Sequence, residues 1–235
     1  MHFAIASGNE AQHFVLVANF WDGDKRDVPS VLLQFDRTSK RFTLNQSIPT
    51  FGARRWQHFE FGGAHYFIVA NQVGASTIYG WDSSSNQLNI TAPVQVAMTN
   101  ATSLAVFESQ GSTFVAISSD DENGGSPAKV FRLELDTEYG VRAVLFQTLL
   151  GCERSLDVTH AKLSEVHHIV FALNASRPSL VFALTSTGMQ FVMIQTLPVS
   201  HVTSIFYFLS TSTTSAGLPY NSSYLLVNQR DAATV

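Results

Sequence analysis

Eight histidines are the first residues of this 235-residue chain whose chemistry invites a reading: His2, His13, His58, His65, His160, His167, His168 and His201. Neutral imidazole is a common metal ligand, but ligation needs a spacing that brings several donors together. The chain holds no H-E-x-x-H, and no His-x-His pair beside a carboxylate at ligand spacing. His13, His65 and His168 recur instead at the entrance of similar apolar runs. That repetition reads as a structural position, and no metal site is expected.

Two acidic turns are the next candidates. One is Asp22-Gly23-Asp24 with Asp27 nearby; the other is Asp120-Asp121-Glu122-Asn123-Gly124-Gly125. Calcium favours clustered oxygens on a Gly-containing loop, yet neither turn has the D-x-D-x-D-G order with a distal Glu. Solvated β-turns are the simpler reading. Nucleophilic catalysis finds no support either. There is no G-x-S-x-G elbow, and Cys152, in Gly151-Cys152-Glu153-Arg154, lacks a recognisable activating context. Glycine-rich phosphate cradles are missing. No catalytic residue and no cofactor is therefore expected. Arg54 and Arg55 flank Trp56. Arg and Trp are favoured at interfaces, but the simpler reading is a core Trp with solvated arginines beside it.

Composition bounds what can hold such residues. Fourteen Lys and Arg against 18 Asp and Glu give a net charge of −4, which argues against nucleic acid as a partner. Eighteen Phe and only 14% charged residues describe a chain that folds. A lone cysteine supplies no internal disulfide framework. No apolar run approaches the roughly 18 residues needed to span a bilayer, so direct membrane insertion is not expected. The start, Met1-His2-Phe3-Ala4-Ile5-Ala6, lacks the pattern of a signal peptide, which leaves a cytosolic protein or an internal piece of a secreted one. N-x-S/T sequons at Asn45, Asn89, Asn100, Asn174 and Asn221 favour the secretory route and mark those residues as candidate glycosylation sites.

The elements are strands. Helical periodicity is scarce, while short β-branched and aromatic runs between turn residues are frequent. These runs repeat. An apolar run ending in Asn or Ser closes at positions 19, 71, 118, 174 and 228, so copies are 52, 47, 56 and 54 residues apart. A second run, of the form small-x-apolar-apolar-x-large, follows at Ser30–Phe35, Ser76–Trp81, Ala128–Leu133 and Ser179–Leu184. A third, Phe-x3-Gln-x-Ile-Pro, is Phe42, Gln46, Ile48 and Pro49, and returns as Phe191, Gln195, Leu197 and Pro198. Gln95 and Thr99, with Thr91 in the Phe slot, stand for it in the third unit, and Gln147 and Leu149 in the fourth. A fourth run is Gly-Ala-x2-Trp-x2-Phe, from Gly52 to Phe59. Four strands per unit of about 50 residues is the arithmetic of a propeller blade. The expected fold is all-β: a β-propeller of four-stranded antiparallel blades. Units at 1–38, 39–84, 85–136, 137–186 and 187–235 make a single domain of about four and a half blades. Phe42, Gln46, Ile48, Trp56, Phe59, Val69, Asn71, Tyr79 and Trp81 are the expected repeat-core residues.

The string from Gln46 through Trp56 to Phe59, then Tyr66 to Asn71, then Ile78 to Trp81, resembles the EAR (epilepsy-associated, or EPTP) repeat. The resemblance is close in the second unit and looser elsewhere. It implies a seven-bladed extracellular propeller that binds proteins and performs no catalysis, so this chain reads as a fragment of a longer ring. A closed five-bladed ring is the alternative. It also implies a cell-surface receptor or adhesion ectodomain as partner, and roles in cell-surface signalling, including Notch-related signalling. Two other functions stay open. One is a propeller enzyme such as a glycoside hydrolase, which needs two carboxylates roughly 5 to 9.5 Å apart. The other is a calcium-dependent adhesion propeller of the integrin type.

Overall fold

The computed structural model describes residues 1–7, 10–121, 126–174, 177–187, 190–213 and 219–229. Glu122 to Gly125 of the second acidic turn lie outside the described residues, as does the side chain of Asn221. Among the described residues, nineteen strands fall into five sheets. The first sheet is β1 (His2–Ser7), β2 (Glu10–Val17), β3 (Ser30–Asp36) and β4 (Arg41–Ile48), in that order. In the second, β5 (Ala53–Phe61), β6 (Ala64–Asn71) and β7 (Ser76–Asp82) precede a broken fourth strand. Its halves, β8 (Gln87–Leu88) and β9 (Val94–Val96), both pair with β7. The third sheet is β10 (Ala101–Ser109), β11 (Ser112–Ser119), β12 (Ala128–Asp136) and β13 (Gly140–Leu149). The fourth is β14 (Ser155–Leu163), β15 (Val166–Leu173), β16 (Ser179–Leu184) and β17 (Phe191–Leu197). The fifth has β18 (Val202–Thr213) and β19 (Pro219–Gln229). Three four-stranded sheets, a second sheet whose fourth strand is broken in two, and a two-stranded pair give several blade-like sheets, as the expected fold requires.

Sheets and sequence units are out of phase by one strand. The Phe-x3-Gln strand β4 opens the 39–84 unit, yet it pairs with β3 before it, Phe35 opposite Phe42 and Leu32 opposite Gln46. A repeating string of four strands can be cut anywhere; only hydrogen bonding sets where a sheet begins.

Register also moves two marker residues. Val17, Val69 and Phe171 each face the second residue of the following strand, Val31, Thr77 and Leu180. Two positions on, the slot holds Asn19, Asn71 and Leu173, so Asn174 sits one residue past it. In the fifth sheet the bulge at Val202/Ser204 matches the one at Ala53/Arg55, which puts Gln229 in the slot of Asn71 and Asn228 one residue short. An unbroken apolar run has no internal mark to set its register; its polar end drifts by a residue.

Local chemistry explains the turns. Asp36, Asp82 and Asp136 end the third strands, and each accepts hydrogen bonds from the backbone two residues on, from Thr38, Ser84 and Glu138. Four residues after each Asp comes a positive φ: Lys40 at 54°, Asn86 at 56° and Gly140 at 74°. The hairpins between first and second strands turn on two left-handed residues, Gly62-Gly63 and Ser164-Glu165, the twist antiparallel strands prefer.

Contacts divide the chain into two compact units, Met1–Leu104 with Arg132–Val144, and Ala105–Phe131 with Leu145–Val235. In the first, Phe3, Phe14, Leu16 and Leu32 of the first sheet pack on Trp56, Phe67, Val69 and Tyr79 of the second. In the second, Phe107, Phe114 and Val130 pack on Val158, Ile169, Phe171 and Phe182, and Val170, Ala172 and Val181 pack on Val202 and Ile205. The second strands β6, β11 and β15 are buried in unbroken runs, which is why their sequences are apolar without alternation, whereas β2 is buried at alternate positions and β19 leaves Tyr224 and Leu226 exposed.

Candidate functional site

The residues that hold neighbouring sheets together come first, because they fix the loops. Gln46 on β4 reaches into the second sheet: its Nε2 donates to the Leu88 carbonyl oxygen at 2.8 Å, and its Oε1 accepts from the Leu88 amide at 2.9 Å. Gln147 on β13 makes the same pair with Phe191, at 2.8 and 2.7 Å. Leu88 and Phe191 occupy one slot, opposite Trp81 and Leu184. The glutamine is a clasp that uses both ends of its amide on one backbone residue. Gln95 is not its counterpart, because it faces Thr77, one position beyond the clasp slot, and Leu88 rather than Thr91 takes the Phe slot.

Of the expected core residues, Ile48, Trp56, Phe59, Val69, Asn71 and Tyr79 are buried, and Trp81 is half-buried among Phe3, Phe14 and Phe67. Phe42 is not core: it is 45% exposed, at the outer strand, against Phe35. The Tyr79 hydroxyl donates to the Pro49 carbonyl, and burial pushes its pKa up to about 12. Asn71 accepts from the Phe51 amide and donates to the Ala75 carbonyl, and Asn19 donates likewise to Pro29.

These bonds seat a cluster of aromatic and guanidinium groups on the loop after β2. Two arginines lie over the Phe20 ring: the Arg54 guanidinium is 3.6 Å from its centre and that of Arg26 is 5.2 Å. Arg54 also donates twice to Gln72 Oε1, at 3.2 and 2.9 Å. The Gly52 amide donates to the Arg26 carbonyl. With φ at +65° and the Arg26 and Gln72 side chains beside its α-carbon, Gly52 lets the loop lie flat on the second sheet. Trp21 on this loop is 59% exposed, and Phe51, next to Gly52 in sequence, is 47% exposed. Sequence reading found Arg54 and Arg55 but paired them with Trp56. Trp56 is buried against Tyr79, and Arg55 turns to the Ser103 hydroxyl. Phe20-Trp21 was the missed signal, an aromatic pair inside a polar loop.

The first acidic turn is closed on itself. Asp22 Oδ1 accepts from the Asp24 and Lys25 amides, and those bonds, Lys25 first, hold its carboxyl below the ordinary range. Asp120 is bonded to Arg154 and Asn174. Asp157 is the buried carboxylate among the described residues, and it accepts from the Val158 and Ile205 amides. Cys152 is buried in the core of the second unit, and burial pushes its thiol far up.

The histidines form pairs that sequence spacing concealed. His58 Nε2 lies 3.0 Å from His65 Nδ1, and His160 Nε2 lies 2.9 Å from His167 Nδ1. His13 Nδ1 and His2 Nε2 are 3.4 Å apart. All three pairs are diagonal across the first two strands of a sheet, at one register position. The partner in the fourth sheet is His167, not His168. In the fifth sheet Tyr207 and Ser223 take that diagonal, oxygen to oxygen at 3.4 Å. His160 stacks on Phe107 at 4.3 Å and His58 on Phe3 at 6.1 Å, so the pairs help pack sheet on sheet.

Among the sequons, Asn89 is exposed, whereas Asn45 donates to the Asn86 carbonyl and Asn174 to Asp120. Asn100 is half-buried, with φ at 54°.

Comparison with known proteins fits this frame. The EPTP domain model matches residues 41–82. The chain carries an EPTP (EAR) domain. The mouse thrombospondin-type laminin G domain and EAR repeat-containing protein is 35% identical over 85 residues. That match covers 34% of this chain and 13% of the relative, so the chain spans about an eighth of its length. A GH43 beta-xylosidase/alpha-arabinofuranosidase from a compost microbial metagenome aligns over 97% of this chain and 93% of its own, with a TM-score of 0.52 and 9% identity. The Dos1 propeller aligns over 88% and 48%, with a TM-score of 0.48 and 14% identity. At such identity the glycosidase likeness is one of fold alone. The chain is an all-β array with several four-stranded propeller blades. EAR repeats are generally non-catalytic and mediate protein interactions.

Proposed function

We propose that this chain is an extracellular interaction module whose partner is a receptor or adhesion ectodomain at the cell surface, with a role in signalling there. The observation that carries the reading is the exposed Trp21 on a loop held by Arg26, Arg54 and Gly52 against the EPTP blade. Trp and Arg anchors on a rigid platform are the residues that dominate interface energies. Exposed apolar side chains on the outer strands, Leu44, Leu145 and Met193, add adhesive surface at one repeated position.

The test presents the chain, multimerised and fluorescent, to intact cells. Saturable, protease-sensitive binding that falls at least tenfold with Trp21→Ala or Arg54→Ala supports the reading. Binding that both variants retain removes the loop as the contact. Expression through the secretory route, with a mass shift on enzymatic deglycosylation that Asn89→Gln reduces, supports the extracellular assignment; failure to be exported sinks it. Turnover of aryl xylosides would overturn the non-catalytic reading and favour the glycosidase alternative.

A further inference from the structure

We propose that His58, Glu60 and His65 form a binding site for one borderline divalent transition ion, zinc or cobalt by donor chemistry. This goes against the expectation from spacing, because the donors come from two strands and meet only across the hairpin. His58 and Glu60 lie two apart on β5, so both side chains leave the same face. Glu60 is directly opposite His65, and His58 is its diagonal neighbour.

The distances suit a shared ion. His58 Nε2 is 3.0 Å from His65 Nδ1, and Glu60 Oε1 is 3.5 Å from that same nitrogen. The ligand atoms of all three residues lie within 4.8 Å of one another. Donors roughly 2.0–2.2 Å from a tetrahedral centre are about 3.3 Å apart, so the two short edges bracket the required value. Two imidazoles and a carboxylate select a borderline metal over calcium. Three protein ligands leave a fourth position for water or for a partner's side chain. Binding needs both facing nitrogens unprotonated. The proton now shared between them moves to an outer ring nitrogen, and two neutral imidazoles release none.

The frame is rigid. The His58 ring packs on Phe67 at 4.9 Å, and the Gly62-Gly63 turn, with φ of 58° and 80°, fixes the register one pair beyond Glu60 and His65. The other sheets isolate the carboxylate as the deciding residue. In the fourth, His160 and His167 are as close, but Lys162 stands where Glu60 does, bonded to Glu165 at 2.6 Å. In the first, Ala4 faces His13. A histidine diagonal alone is packing; adding Glu60 makes a ligand set.

The experiment is titration of the whole chain with zinc by calorimetry, and with cobalt by visible absorption, at neutral pH. One equivalent is expected, with tetrahedral cobalt bands. Glu60→Gln should weaken binding by about ten- to a hundredfold. His65→Gln and Glu60→Lys, the latter copying the fourth sheet, should abolish it. Glu60 is exposed, so its variants keep the fold even where a histidine variant does not. Lys162→Glu should create a second equivalent. No binding by the wild type, or binding that survives Glu60→Lys and His65→Gln unchanged, overturns the proposal.

Discussion

Replacing Gln46 by Leu tests the clasp most directly. The variant keeps side-chain bulk and removes two bonds, the 2.8 Å donation to Leu88 O and the 2.9 Å acceptance from Leu88 N. Leu88 is 2% exposed, so water has little access to satisfy what is left. An orphaned buried backbone group costs about 1–3 kcal/mol, which for two groups is about 2–6 kcal/mol. Leucine recovers about 1 kcal/mol by burying apolar surface beside the joint. The net loss is about 1–5 kcal/mol, a fall in Tm of roughly 2–20 °C for a chain of this size. Gln95→Leu is the control. It changes the same residue type at an exposed position that the sequence alone had aligned with Gln46. It should stay within about 0.5 kcal/mol of the parent. Thermal and urea unfolding of the three proteins decide the matter. Equal losses for Gln46→Leu and Gln95→Leu, or a loss under about 0.5 kcal/mol for Gln46→Leu, would refute the clasp.

Four further outcomes are expected. Phe3, Phe59 and Phe107 share one slot that holds Ala161 in the fourth sheet, and a cavity of about 190 Å³ lined by Ala161, Tyr207 and Tyr224 lies there. Ala161→Phe should fill it and raise stability by about 1 kcal/mol, the ring's burial exceeding the misfit; a lower Tm would show the cavity is too shallow. His160 is held down to about 4 by burial and then by His167 and His168, whereas unfolded it titrates near 6.5. Its folded pKa is depressed, so its contribution is present above pH 6.5 and is lost as pH falls toward 4. Plots of Tm against pH for the parent and His160→Gln should converge across that window, and parallel curves would contradict the assignment. Cys152 should resist alkylation in the native protein and react on unfolding, with prompt native reaction counting against its burial. Gln46→Leu and Gln147→Leu act on separate clasps, so their losses in urea unfolding should add within about 0.5 kcal/mol, and marked non-additivity would argue against that independence.

The strands and their period were legible because burial writes them in composition. A strand covered on both faces must be apolar throughout, and Tyr66 to Ala70 and Ile169 to Leu173 are. The EPTP match falls on the unit whose motif is fullest. The phase was not legible, since a period carries no origin and β4 looks like the first strand of the second sheet rather than the last of the first. Single-residue slots failed where an apolar run gives the eye only its polar end, as at Asn174 and Asn228. The aspartate turns were written plainly at Asp36, Asp82 and Asp136, each four residues before a left-handed position, and went unread. The histidine diagonals lay beyond reach, because residues seven or eleven apart in sequence become neighbours only once a hairpin's register is known.

That difference has a physical root. Packing between sheets depends on size and apolarity, and it tolerates exchange: Phe67 of the second sheet is Ile169 in the fourth at the same register, and both are buried. The clasp tolerates nothing of the kind, because a donor and an acceptor must meet one backbone residue together, and only a carboxamide of the right reach does so. The loop after β2 is freer still. Its backbone is secured at Gly52 and its Phe20 by Arg26 and Arg54, while Trp21 is mostly exposed. Selection for a partner can therefore rewrite Trp21 and its neighbours without disturbing the sheets, and the residues that carry recognition are the ones a repeat comparison is least able to find.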